Sequence, residues 1–187
     1  MKIALIDHND SFTFNIVEVL KQLNYDITVI NYDTIYIDNI EDFDKIILSP
    51  GPCLPENYPK TIALIDRFYK TKPILGVCLG HQAICTYFGA ELYTTPNVIH
   101  GNDEIIDITN PSKLFKDIPT ETTVGLYHSW AVKKEGLSNT LKITAVTKND
   151  MIMAVEHTNY PIYGIQFHPE SFLTIDGKQL LKNFIEL

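Results

Sequence analysis

The stretch Ile74-Leu75-Gly76-Val77-Cys78-Leu79-Gly80-His81-Gln82-Ala83-Ile84 decides how the chain is read. Its first four residues form a short apolar run of the kind buried in a parallel sheet. From about Gly80 the sequence reads as a helix that runs to Phe88 and ends near Gly89. Cys78 therefore stands where a strand turns directly into a helix, with a glycine two residues to either side. Such a turn is tight, and glycines let its backbones approach closely. It is the cysteine form of a nucleophile elbow. The N-terminal end of a helix favours thiolate over thiol, and its free N–H groups, beginning with that of Leu79, can hold an oxyanion. The competing reading, a buried structural cysteine, accounts for neither glycine.

Upstream of the elbow, strand and helix signals alternate. Ile3 to Ile6 reads as a strand, Asp10 or Ser11 as a cap, and Phe12, Ile16, Leu20 and Leu23 as one helix face. Asp26 to Ile30 and Lys45 to Leu48 read as strands, and Tyr58 to Tyr69 as a helix turning Ile62, Ile65 and Phe68-Tyr69 inward. This alternation predicts a parallel sheet covered by helices, with chemistry at the carboxyl ends of its strands. Downstream, segments rich in Ile, Thr, Val and Tyr at 104–109, 122–132, 141–147, 151–157 and 162–167 predict mostly antiparallel strands. A helix over Gly177 to Glu186 follows, and the absence of repeats, low-complexity tracts and linkers predicts one domain over 1–187.

Composition excludes several classes. The chain has 187 residues, 45% of them hydrophobic, which suits a globular core. Its net charge of −8 and scattered lysines do not make the basic stripe of a nucleic-acid binder. No apolar run approaches the ~20 residues of a membrane helix, and no signal peptide is apparent. Three cysteines, Cys53, Cys78 and Cys85, do not suggest a disulfide framework. A cytoplasmic protein is the expectation. No cluster has zinc-ligand spacing, so no metal site is predicted.

A nucleophilic cysteine needs a base and a group to orient it. Phe167-His168-Pro169-Glu170 supplies both. Pro169 favours an extended His168, and residues two apart on an extended chain share a side, which lets the Glu170 carboxylate hold the imidazole. Ser49-Pro50-Gly51-Pro52 closes another strand; its prolines stiffen a loop in which the Gly51 N–H is a second candidate oxyanion donor. Gln82, on the first turn after the cysteine, can hydrogen-bond a polar substrate. His81 is read as structural, Cys85 as core packing, and Cys53 as a lining residue near the site. Tyr127-His128-Ser129-Trp130 reads as a half-exposed strand with an unusual polar and aromatic grouping.

In combination these segments resemble the class I (triad) glutamine amidotransferases, and within them the small subunits of anthranilate synthase and 4-amino-4-deoxychorismate synthase. The resemblance is carried by Asp7 with Asn9 to Thr13 and Asn15, Ser49 to Pro52, Gly76 to Ile84, Tyr127-His128-Ser129 and Gln166 to Ser171, with Thr174, Gly177 and Leu181 to Phe184. It implies a flavodoxin-like sheet, a Cys78–His168–Glu170 triad, and glutamine held near Gly51, Gln82, Ser129 and Trp130. It also implies a heteromer in which a chorismate-binding synthase subunit, itself using Mg²⁺, consumes the ammonia to make anthranilate, aminodeoxychorismate or both. No cofactor is implied in this chain. Two departures stand out: the family usually has Leu at Trp130, and Ile99-His100-Gly101-Asn102 resembles a His-Gly-Lys stretch without the Lys. The other enzyme reading is a stand-alone γ-glutamyl hydrolase or peptidase, against which the Asp10-Ser11-Phe12-Thr13 stretch argues. The non-enzyme reading is a regulatory module of the same fold, which could have lost a triad member.

Overall fold

The computed structural model describes residues 1–95 and 100–187; Ile99 of the His-Gly-Lys-like stretch lies outside them. Along the chain run β1 (Ile3–Asp7), α1 (Thr13–Gln22), β2 (Ile27–Asn31), β3 (Lys45–Leu48), α2 (Pro59–Phe68), β4 (Ile74–Val77) and α3 (Leu79–Tyr87). There follow β5 (Leu92–Thr94), β6 (Asn102–Ile108), β7 (Glu121–Leu126), β8 (Trp130–Val132), β9 (Leu141–Thr147), β10 (Ile152–His157), β11 (Ile162–Ile165) and α4 (Gly177–Ile185). Nine strands form one sheet in the order β2-β1-β3-β4-β11-β10-β9-β6-β7, and β5 pairs with β8 in a separate ribbon.

The strands from β2 to β11 are parallel, and those from β11 to β7 antiparallel. The order of the parallel half, 2-1-3-4 followed by β11, is that of a flavodoxin-like sheet. β4 is covered on both faces, with Ile74, Leu75 and Val77 wholly buried. One face packs Ile16, Val17 and Leu20 of α1 with Leu180, Leu181 and Phe184 of α4. The other packs Leu64, Ile65 and Phe68 of α2 with Ala83 and Ile84 of α3. Each of the Val, Leu, Ile and Phe side chains among them contributes about 1.5–3 kcal/mol by leaving water. Lys45, a charge inside β3, escapes that core by donating from Nζ to the carbonyls of Phe184 and Leu187 at the end of α4, both at 3.1 Å.

Four local expectations need correction. Helix α1 begins at Thr13, with Phe12 as its cap residue and no side-chain cap. Asp10 instead accepts the Phe12 N–H through Oδ1 at 2.8 Å, and Phe12 is freed to pack against His168 and Tyr127. The 122–132 segment is two strands, because Tyr127-His128-Ser129 breaks the run and sends β7 and β8 to different sheets. The 162–167 strand stops at Ile165 and is antiparallel only to β10; its other edge is parallel to β4, in the register Ile162 to Ile74 and Ile165 to Val77. The short strand β5 was not foreseen, since three residues carry no usable period.

Candidate active site

The register of β4 with β11 brings the two sequence motifs together. Val77 lies beside Ile165, so Cys78 and the Gln166–Glu170 segment leave the same edge of the sheet from neighbouring strands. Cys78 has φ 51° and ψ −101°, a strained conformation for a residue with a Cβ. The turn closes only because its flanks lack side chains. A Cβ on Gly76 would lie 2.3 Å from the Gly80 carbonyl oxygen, and one on Gly80 would lie 2.5 Å from that of Leu48. The Cys78 side chain is thus presented at the first turn of α3, 7% exposed and lining an open cleft of about 450 Å³.

Gly51, Gln82, Ser129 and Trp130 line that same cleft, with Tyr127 and His128. The Gly51 loop is pressed onto the elbow: a Cβ at Gly51 would meet Leu79 Cδ2 at 2.4 Å and His8 Cβ at 2.7 Å. Leu79 itself opens α3 and is 2% exposed. Gln82 uses both hydrogens of one Nε2, donating to the Trp130 carbonyl at 2.9 Å and to Gln166 Oε1 at 3.1 Å. Its Oε1 is the group left to receive an N–H from a substrate. Ser129 enters the cleft from the break between β7 and β8, its carbonyl tied by the Thr95 N–H at 2.9 Å.

His168 is 2% exposed and hydrogen-bonded through Nδ1 to Glu170 Oε1 at 2.7 Å. Its backbone is clamped: its N–H donates to the Gly125 carbonyl at 3.0 Å, and its carbonyl accepts from Thr174 Oγ1 at 2.6 Å. Thr174 Oγ1 in turn accepts the Gly125 N–H at 2.9 Å. The rings of Phe12 and Tyr127 stand edge-on to the imidazole, with centroids 5.1 and 4.9 Å away. Burial works to lower the pKa of His168, but the facing Cys78 and Glu170 together hold it well above its ordinary value. His168 Nε2 has no hydrogen-bond partner among the described residues. A buried imidazolium with one nitrogen held by a carboxylate and the other unpaired can give a proton to a leaving group and take one from water.

Three other histidines around the site are kept neutral. Burial pushes His81 down to about 3, helped by nearby His128; its ring fills the space where Gly164 lacks a Cβ. His8, between Ser49 Oγ and Thr61 Oγ1, is pushed to about 4 by burial. His128 is also pushed to about 4, chiefly by burial. Cys85 is fully buried, and Cys53 is exposed at the cleft wall. Among the described residues no group of three or more His, Cys, Asp or Glu side chains is arranged to hold a metal ion, and no helix is long and apolar enough to cross a membrane.

Sequence reasoning gave no role to three residues of the site: Gln166, which touches the cysteine sulfur; His128, which lines the cleft and bonds the Trp130 carbonyl; and Thr174, which clamps His168. For Gln166 a signal existed, since the strand expected over 162–167 puts it two residues before His168 and on the same side. The other two stand in segments that carry the family resemblance, which marks their positions but not their contacts, since those depend on how distant strands meet.

Comparison with known proteins agrees with this geometry. The family description "Glutamine amidotransferase class-I" matches residues 4–187. A Haemophilus influenzae protein with the provisional name anthranilate synthase component II is 42% identical over 187 residues, covering 100% of this chain and 97% of its own. The Bacillus subtilis aminodeoxychorismate/anthranilate synthase component 2 is 41% identical, covering 98% of this chain and 95% of its own. Among solved structures, a Thermoplasma acidophilum protein provisionally named as one subunit of GMP synthase superposes with a TM-score of 0.88 at 26% identity, covering 100% of this chain and 92% of that one. With a family match running nearly end to end, the chain belongs to the class-I glutamine amidotransferases.

Proposed function

We propose that this chain hydrolyses L-glutamine at Cys78 and passes the ammonia, in the cytoplasm, to a chorismate-using synthase subunit that makes anthranilate, aminodeoxychorismate or both. The observation that carries the chemistry is the elbow cysteine set against a buried His168–Glu170 pair and opening onto a cleft with room for glutamine. The Cys78 thiolate attacks the side-chain carbonyl carbon of glutamine, and the N–H groups of Leu79 and Gly51 receive the oxyanion. His168 protonates the amide nitrogen, ammonia leaves, and a γ-glutamyl thioester remains. His168 then takes a proton from water, hydroxide displaces the sulfur, and glutamate is released. Glu170 keeps its charge and orients the imidazole throughout. Gln82, Ser129 and Trp130 hold the substrate.

The choice of partner is supported by the names of the relatives at about 40% identity. It is also supported by the surface: Phe172 and Ile175, just past the base, are 90% and 73% exposed, and Phe14 is 61% exposed. Exposed apolar side chains beside a reaction centre fit a docking face. The Mg²⁺ of this reading belongs to the partner subunit, and the chain itself uses no cofactor. The test is recovery of the chain's partner from its own cell extract, then assay of the complex with chorismate and glutamine. Glutamine-dependent aromatic amine formation, lost in Cys78→Ala, is the expected result. Glutamine hydrolysis by the lone chain with no such partner recovered would overturn the synthase reading in favour of a stand-alone hydrolase.

A further inference from the structure

We propose that Gln166 is a further residue of the reaction centre: its side-chain amide donates an N–H to the Cys78 sulfur and so favours the thiolate, and Gln82 fixes the direction of that amide. The inference rests on the reading of Cys78 as nucleophile and adds a residue that neither the triad nor the oxyanion donors include.

Gln166 is wholly buried, and its Nε2 lies 3.6 Å from Cys78 Sγ. An amide can present either its nitrogen or its oxygen to a sulfur, and the two have opposite effects on a thiolate. The surrounding bonds leave one choice. The Trp130 carbonyl can only accept, so the Gln82 group 2.9 Å away is its NH₂. The second hydrogen of that NH₂ points to the Gln166 oxygen at 3.1 Å, which leaves the Gln166 NH₂ facing the sulfur.

The far end of the chain of bonds is fixed too. His128 Nδ1 lies 2.9 Å from the same Trp130 carbonyl and must carry a proton to bond with it. Burial keeps this imidazole neutral, so Nδ1 holds its only proton. Both lone pairs of the carbonyl are then engaged by donors, and Gln82 cannot turn over without losing a buried bond. An unmade buried hydrogen bond costs about 1–3 kcal/mol, enough to keep the network in one orientation. A sulfur that receives an N–H is better held as the anion than as a thiol.

The test reads the pH dependence of Cys78 alkylation by iodoacetamide. Gln166→Glu keeps the shape and the acceptor for Gln82 but replaces the donor with a carboxylate. The midpoint of its alkylation profile is expected to rise by about one pH unit or more, as loss of a hydrogen bond to a charged group requires. Its kcat near neutral pH is expected to fall about tenfold, with KM changing less. Gln82→Met, which releases the Gln166 amide, is expected to move the midpoint the same way by less. In the unsubstituted protein the Gln166 side-chain NH₂ resonance is expected to shift as Cys78 titrates, a reading that needs no variant to fold. Unchanged midpoints in the folded variants, or an NH₂ resonance indifferent to that titration, overturn the role of Gln166. Undiminished glutamine hydrolysis by Cys78→Ala would instead overturn the underlying reading of Cys78.

Discussion

The two halves of the reaction centre are held by different means. At the elbow, backbone shape does the work: Cys78 takes a positive φ, and Gly76, Gly80 and Gly51 let three chain segments touch. On the arm that carries His168, side chains and hydrogen bonds do it: Glu170, Thr174 and the Gly125 backbone fix a bend and turn, closed by the Ser171 N–H on the His168 carbonyl at 3.2 Å, that has no positive φ. The elbow is therefore rigid and intolerant of added atoms, while the arm is adjustable, bond by bond. A nucleophile must sit at one point relative to its oxyanion donors, whereas a base must be set in both position and proton affinity.

The sharpest way to break this contrast is to add one methyl at the elbow. Gly76→Ala puts that methyl against backbone atoms of Gly80 and His81 that cannot yield cheaply. It is expected to abolish glutamine hydrolysis and to lower unfolding free energy by about 3 kcal/mol or more, read by urea denaturation. An alanine variant folding with near-normal stability would show that the elbow is softer than described. On the arm, Glu170→Gln leaves the fold in place but lets the imidazole take the wrong tautomer; kcat is expected to drop roughly 10³–10⁴-fold.

Acid tests the surroundings of both halves. His8, His81 and His128 have folded pKa values near 4, 3 and 4, all below the value of about 6.5 in the unfolded chain. Below pH 6.5 the unfolded state thus binds more protons, and stability present at neutral pH is lost as pH falls toward 4. Three such groups give a slope of about 4 kcal/mol per pH unit between roughly pH 6 and 4.5, measurable by denaturant titration at stepped pH. Replacing His81 with an apolar residue should remove about a third of that slope if the variant folds. The smallest effect is expected for Thr174→Val, which removes the bridge between His168 and Gly125. It should cost about 1–3 kcal/mol of stability and about tenfold in kcat, with KM little changed.

The same contrast explains what could be read in advance. The elbow was legible because its constraints are local: Gly76, Cys78 and Gly80 lie within five residues, and each has a steric reason to be what it is. The parallel strands β1, β3 and β4 were legible as apolar runs too short for helices. The arm was legible only as far as the His168–Glu170 spacing. Nothing in the run from Glu121 to Val132 says that its ends join different sheets, because a strand's own period does not name its partner. Nor does the segment before His168 say that one edge of β11 pairs parallel to β4, which is what sets Gln166 against the cysteine. Phe12 misled for the same reason: its spacing fits the helix, but contacts with Tyr127 and His168 draw it out of the first turn.

The insertion of β11 between β4 and β10 has a bearing on the order in which the molecule is made. Cys78 and Gln166 are 88 residues apart, so at a synthesis rate of about 5–20 residues per second the cysteine precedes the partners of its sulfur by roughly 4–18 s. Through that interval the β4 edge later taken by β11 is an unpaired hydrophobic template, the kind of edge on which nascent chains aggregate. The closing of that edge and the arming of the nucleophile are one event, so a chain that misplaces β11 remains both unfinished and inert.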